Sequence, residues 1–250
     1  MTYDLSVFLI VCPMVFLAGL VDSVAGGGGL VSLPAYLFAG VPPHTAVATN
    51  KCSSSMGTLV STLRYLKSGY LDRSVAVATV LCALVGSVLG SNLMLVASDT
   101  LLRYLLIPLI PVVAFYVLRR RGEGNPEPLP LKRRRWIMAV ISLVLGVYDG
   151  FYGPGTGTFL LLLYTSLAKL DLKTASGNVK LVNLSSNLAA VAVFLWNGQI
   201  AIPLGLVAGL FGIAGNYLGT GLVLKRGGKI IRPMLLVVLS LLFLKLLLDP

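Results

Sequence analysis

Acidic side chains are scarce here: nine Asp and Glu stand against 20 Lys and Arg, and only 12% of the 250 residues are charged. Soluble domains carry roughly 25% charged residues, so water is excluded as the solvent for most of this chain. Histidine occurs once, at His44, and cysteine three times, at Cys12, Cys52 and Cys82, widely spaced within apolar stretches. Such spacing makes neither a disulfide framework nor a metal motif, and the cysteines read as small buried apolar residues. A membrane-embedded enzyme needs an acid, base or nucleophile constellation. With one histidine and no serine–histidine pairing, that class is disfavoured, and no cofactor is expected. No basic region precedes the first apolar run, so the first helix is expected to remain in the mature protein rather than be cleaved as a signal.

Long apolar runs are what the sequence does have. Hydrophobic residues make up 56% of it and the mean hydropathy is +0.90. Residues 75–97 and 200–224 are examples of runs close to the ~20 residues a helix needs to cross ~30 Å of hydrocarbon. The expected fold class is an all-α integral membrane protein, with the lipid bilayer as its surroundings. The net charge of +11 sits in short loops between apolar segments, a topogenic pattern rather than a nucleic-acid stripe. Self-association of whole chains is left open.

The chain is one repeat written twice. TAVATNK at residues 45–51 is echoed by TASGNVK at 174–180, so Lys51 and Lys180 are 129 residues apart. The same offset relates Gly69 to Gly198, Gly86 to Gly215, Gly90 to Gly219 and Arg103 to Arg232. Upstream, GLVDSVAG at 19–26 matches GVYDGFYG at 146–153 with an offset of 127, which places a two-residue difference in a loop between Ala39 and His44. Each copy has five apolar segments: 5–24, 30–39, 45–66, 75–97 and 101–118, then 136–152, 158–168, 174–196, 200–224 and 230–248. The predicted organisation is an N-terminal membrane repeat (1–118), a Gly/Pro-rich cytoplasmic basic linker (119–135) and a C-terminal membrane repeat (136–250). Loops rich in Lys and Arg stay in the cytoplasm. The loop with Arg64, Lys67 and Arg73 corresponds to the uncharged Asn197-Gly198-Gln199, and Lys225, Arg226, Lys229 and Arg232 correspond to a loop around Asp99 with only Arg103. The loop at Pro42-Pro43-His44, without Lys or Arg, corresponds to one with Lys169 and Lys173. All three pairs predict two inverted-topology repeats with both termini outside, an architecture whose substrate site lies at the repeat interface near the midplane.

The second segment of each copy is too short to span, which predicts a Gly-bent short or re-entrant helix, bent at Gly26-Gly27-Gly28-Gly29 and at Gly153-Pro154-Gly155-Thr156-Gly157. Such bends are tolerated only where the backbone lines a cavity or is buried by protein. They also free helix N-termini that attract anions; as packing glycines they would do neither. A nucleotide phosphate loop is excluded because no Gly-Lys-Ser/Thr ending follows. Lysine inside a membrane segment is expensive and marks function, although one alone could snorkel. Lys51 and Lys180 fall about 9 Å into their segments at 1.5 Å per residue. Thr49, Asn50, Ser53 and Ser54, with Asn178, Asn183 and Asn187, add neutral donors that could equally be structural glue between helices. Asp22 and Asp149 precede the bends and could pair with the lysines, cap the backbone or carry protons. His44 is peripheral, and Trp136 and Trp196 suit interfacial anchors. The candidate site takes a small anionic substrate, with no metal.

At residues 18–34 (AGLVDSVAGGGGLVSLP), 46–51 (AVATNK) and 69–72 (GYLD) the sequence resembles the sulfite exporter TauE/SafE family. The second copy, with Pro154 and Thr156 in its bend, extends the resemblance over nearly the whole chain. The resemblance implies export of sulfite, sulfoacetate or other organosulfonates across the bacterial inner membrane. Expelling one negative charge from a cell at 100 mV, negative inside, gains about 2.3 kcal/mol. The alternatives are a passive anion channel, which would conduct far faster than a carrier, and an uptake permease for a sulfonate or carboxylate. A structural or regulatory subunit would transport nothing alone.

Overall fold

A computed structural model describes residues 3–97, 129–231, 233–234 and 237. Regular structure among them is helical throughout: α1 (Leu5–Ala25), α2 (Gly29–Phe38), α3 (Pro43–Lys67), α4 (Arg73–Val96), α5 (Leu131–Phe151), α6 (Thr156–Ser166), α7 (Leu172–Trp196) and α8 (Ile202–Arg226). The fifth predicted segment of the first copy, most of that in the second, most of the linker, Asp99, Arg103 and Arg232 lie outside the described residues. Residues 131–135, assigned to the linker on composition, instead open α5. Pro130 stands at its N-cap in extended conformation, and the Lys and Arg that follow are good helix formers.

Four helices, α1, α4, α7 and α8, are long and apolar enough to cross a membrane. The 25-residue α3 is long enough but is polar on the side it turns inward. Fourteen of its 25 residues are buried, among them Thr45, Thr49, Asn50, Lys51, Ser53 and Thr58. Likewise fourteen of the 25 in α7 are buried. These two helices are the polar centre, and the outer ones present Leu81, Leu89, Leu93, Leu206, Leu210 and Leu218 outward.

Helix directions follow from side-chain and backbone contacts. α3 and α7 run antiparallel: Gly177 near the start of α7 abuts the Tyr70 carbonyl just beyond α3, and the Lys173 ammonium reaches the Tyr70 hydroxyl at 3.4 Å and the Leu224 carbonyl at 3.2 Å. α8 runs parallel to α3, because the Ala201 N–H donates to Thr49 Oγ1 (3.0 Å) at one end and Gly221 meets Arg64 at the other. Two close helix pairs complete the bundle. In one, Gly215 and Gly219 of α8 lie under the carbonyls of Phe16 and Leu20 of α1; in the other, Gly86 and Gly90 of α4 lie under those of Leu143 and Val147 of α5. No Cβ fits at any of these four glycines, as expected where small residues bring membrane helices together. The paired positions are those related by the sequence repeat.

One end of the bundle thus gathers the C-termini of α3 and α8 with the N-termini of α4, α5 and α7. It carries Arg64, Lys67, Arg73, Lys132 to Arg135, Lys173, Lys225 and Arg226. There Arg134 pairs with Asp72 (2.9 Å), tying α5 to α4. The described residues at the opposite end include no Lys or Arg.

Candidate functional site

α1 closes where the Gly26 N–H donates to the Asp22 carbonyl at 2.8 Å and Gly26 turns into the left-handed region (φ 78°). This glycine ending places Asp22 one turn before the break. α2 then begins at Gly29 and has ten residues, about 15 Å at 1.5 Å per residue. In the second copy Asp149 precedes the break at Tyr152 and Gly153, and α6 begins at Thr156. The two breaks touch: a Cβ on Gly26 would overlap the backbone of Gly157, and Thr158 Oγ1 donates to the Ala25 carbonyl at 2.7 Å.

Each lysine is held by the aspartate of the other copy. The Lys51 ammonium lies 2.8 Å from Asp149 Oδ2, which also accepts the Ser186 hydroxyl at 2.5 Å. The Lys180 ammonium lies 2.6 Å from Asp22 Oδ2 and 2.5 Å from the Asp22 carbonyl. Side-chain exposures are 4% and 6% for the first pair, 2% and 19% for the second. Desolvated charges persist in such surroundings only when paired, so the four residues form two neutral pairs that bridge the copies.

Between the pairs lies a cavity of about 50 Å³. Allowing roughly 10–15 Å³ for each water-sized group, it has room for three to five. Its wall includes Asn50, Lys51, Ser53 and Ser54 of α3, Asn183 and Asn187 of α7, and Gly212 and Asn216 of α8, all close to the midpoints of their helices. Asp22, Gly26, Gly28 and Gly29 close one side; Asp149, Gly153, Thr156 and Gly157 close the other. The side-chain oxygens of Asn50 and Asn183 are buried there without a hydrogen-bond partner. Buried polar groups are ordinarily satisfied, and an amide can turn either its acceptor or its donor edge toward a guest.

Other predicted site residues lie elsewhere. Gly27 and Gly155 do not line the cavity, and neither does Lys180, which sits behind Asp22. Thr49 is used as the acceptor for Ala201, and Asn178 bonds back to the Thr174 carbonyl at 2.8 Å. His44 stands in the first turn of α3, outside the lining. Trp136 and Trp196 are exposed near helix ends. Sequence reasoning overlooked Ser32, Thr58, Tyr152 and Asn216 as lining residues. Asn216 had a signal: it is the one amide in the apolar 200–224 run, and at the 129-residue offset it corresponds to another polar residue, Ser87. Its side chain is fixed by Ser61 Oγ (2.9 Å) and the Gly212 carbonyl (3.0 Å).

This paired-charge cavity between two sequence copies sits in a chain whose residues 11–246 match the profile of the family described as Sulfite exporter TauE/SafE. The chain belongs to the TauE/SafE family. Its relatives span it almost end to end. A probable membrane transporter protein, ORF9, of a Sinorhizobium species is 34% identical, covering 100% of this chain and 95% of its own. The probable membrane transporter protein YfcA of Escherichia coli K12 is 32% identical, over 93% and 87%. A third, from Haemophilus influenzae, is 32% identical over 94% and 92%. No solved structure matches the chain. TauE/SafE membership and the four candidate spans make this a multi-pass membrane transporter protein. Helical spans and relatives from bacteria are consistent with the bacterial inner membrane.

Proposed function

We propose that this TauE/SafE protein is a secondary transporter that carries a small sulfur-containing anion, sulfite or an organosulfonate, outward through the central cavity. The observation that carries this reading is a cavity near the midpoints of its helices, walled by a buried lysine and by two asparagines whose side-chain oxygens have no hydrogen-bond partner. Its volume suits an ion of four or five heavy atoms, and the substrate class and direction follow the family's description. Lys51 is the cation that meets the substrate, while Asn50, Asn183 and Asn187 orient it. The amides of Gly29 in α2 and Gly157 in α6, at helix starts that form part of the cavity wall, add donors from the two breaks. Lys180, held by Asp22, keeps the copies in register.

The two copies act as inverted-topology repeats, with the basic end of the bundle in the cytoplasm and the short α2 and α6 as re-entrant elements. Supporting this are the antiparallel α3 and α7 and the equivalent glycine contacts of α1 with α8 and of α5 with α4. Rocking one copy against the other around the cavity would give alternating access.

Sulfite flux from proteoliposomes tests the proposal. Wild type is expected to release sulfite far faster than empty vesicles, and Lys51→Ala or Asn183→Ala to slow it tenfold or more. Unchanged flux in a folded Lys51→Ala protein would overturn the central-site assignment.

A further inference from the structure

We propose that the anion enters the site together with one proton, which Asp149 takes up as Lys51 turns from it to the anion. This rests on the central-cavity reading above. With Lys51 paired to Asp149 and Lys180 to Asp22, the site is neutral before any substrate arrives. A monoanion alone would leave one uncompensated negative charge among groups that are nearly all buried. A proton added to Asp149 Oδ2 removes that charge. Lys51 remains an ammonium, the anion takes the place of the carboxylate beside it, and the site stays neutral with no other bond made or broken.

The surroundings of Asp149 are built for two protonation states. Ser186 Oγ is 2.5 Å from Asp149 Oδ2 and 3.2 Å from the Asn183 carbonyl. While Asp149 is ionised, the hydroxyl donates to the carboxylate. Once Asp149 is protonated, the acid donates to Ser186 Oγ, whose own hydrogen swings to the Asn183 carbonyl. A hydroxyl makes both arrangements by rotation alone. The charged and titratable groups facing Asp149 are Lys51 from α3, Asp22 from α1 across the cavity, and Tyr148 and Tyr152 from its own chain segment. α7 contributes Ser186, with Lys180 already committed to Asp22, and α6 contributes the neutral Thr156. Asp22 is less suited to the role, because its partner Lys180 lies outside the cavity and is also held by the Asp22 carbonyl.

The test uses full-length purified protein and methanesulfonate, a strong-acid anion that brings no proton of its own. Titration calorimetry in buffers of different ionisation enthalpy should report one proton taken up per anion bound. The apparent Kd should weaken about tenfold for each pH unit over which one proton is taken up per anion. In proteoliposomes, methanesulfonate flux should follow a pH gradient and ignore a potassium diffusion potential. Asp149→Asn should bind the anion with no proton uptake, and the wild-type pH slope decides the matter if that variant fails to fold. Binding by wild type without proton uptake, or proton uptake that persists in Asp149→Asn, overturns this inference and leaves the transport reading standing. Absence of any methanesulfonate binding by wild type overturns both.

Discussion

A lysine that loses its partner in apolar surroundings becomes a liability, and so does the carboxylate left behind. Lys51→Ala should therefore lower stability by about 3–5 kcal/mol, the usual cost of stranding one member of a buried pair. The double variant Lys51→Ala with Asp149→Ala should recover most of it while transporting nothing. Thermal unfolding in detergent checks this; a double variant no more stable than the single would mean that the pair is not the cause. At this scale the sequence exposed the four charges, because each is costly in an apolar stretch and each recurs at the repeat offset. It could not show that the partners cross between copies, since pairing depends on how the copies pack. Nor could it rank neighbours on a helix. Thr49 and Asn50 are adjacent, but residues at 3.6 per turn point about 100° apart, and only Asn50 reaches the cavity. Asn178, at the position matching Thr49, is likewise turned away from it.

The breaks before α2 and α6 separate two demands that glycine can meet. Gly40 adopts φ 81° with nothing within 4 Å of where a Cβ would sit, so Gly40→Ala meets only left-handed strain of about 1–2 kcal/mol. Gly26 has φ 78° and also packs against the backbone of Gly157 and Thr158. Gly26→Ala should add overpacking of about 1–3 kcal/mol or more to the same strain. Unfolding midpoints of the two variants should therefore differ clearly; equal midpoints would show that the two breaks do not need their close contact. Most helices were legible as apolar runs bounded by Pro, Gly and charge. The start of α5 was not, because its first turn is as basic as the linker before it and composition alone cannot separate a basic helix end from a basic loop.

For the molecule as a whole, the charge carried by one end sets the expected orientation. Single cysteines placed at Ser68 or Gly228, in a background lacking Cys12, Cys52 and Cys82, should react with an impermeant maleimide only after the cells are opened. Cysteines at Pro42 or Gly198 should react in intact cells. Labelling of all four from the same side would refute the orientation. The crossed pairs also constrain how such a molecule could arise. A chain of half this length would hold one buried lysine and one buried aspartate that do not meet each other. A second half-chain docked against it through the same crossed pairs would satisfy both, so the smallest unit able to persist in the membrane is a pair of halves. Joining the halves keeps that pair in one polypeptide, where a loss on either side can be answered by a change on the other.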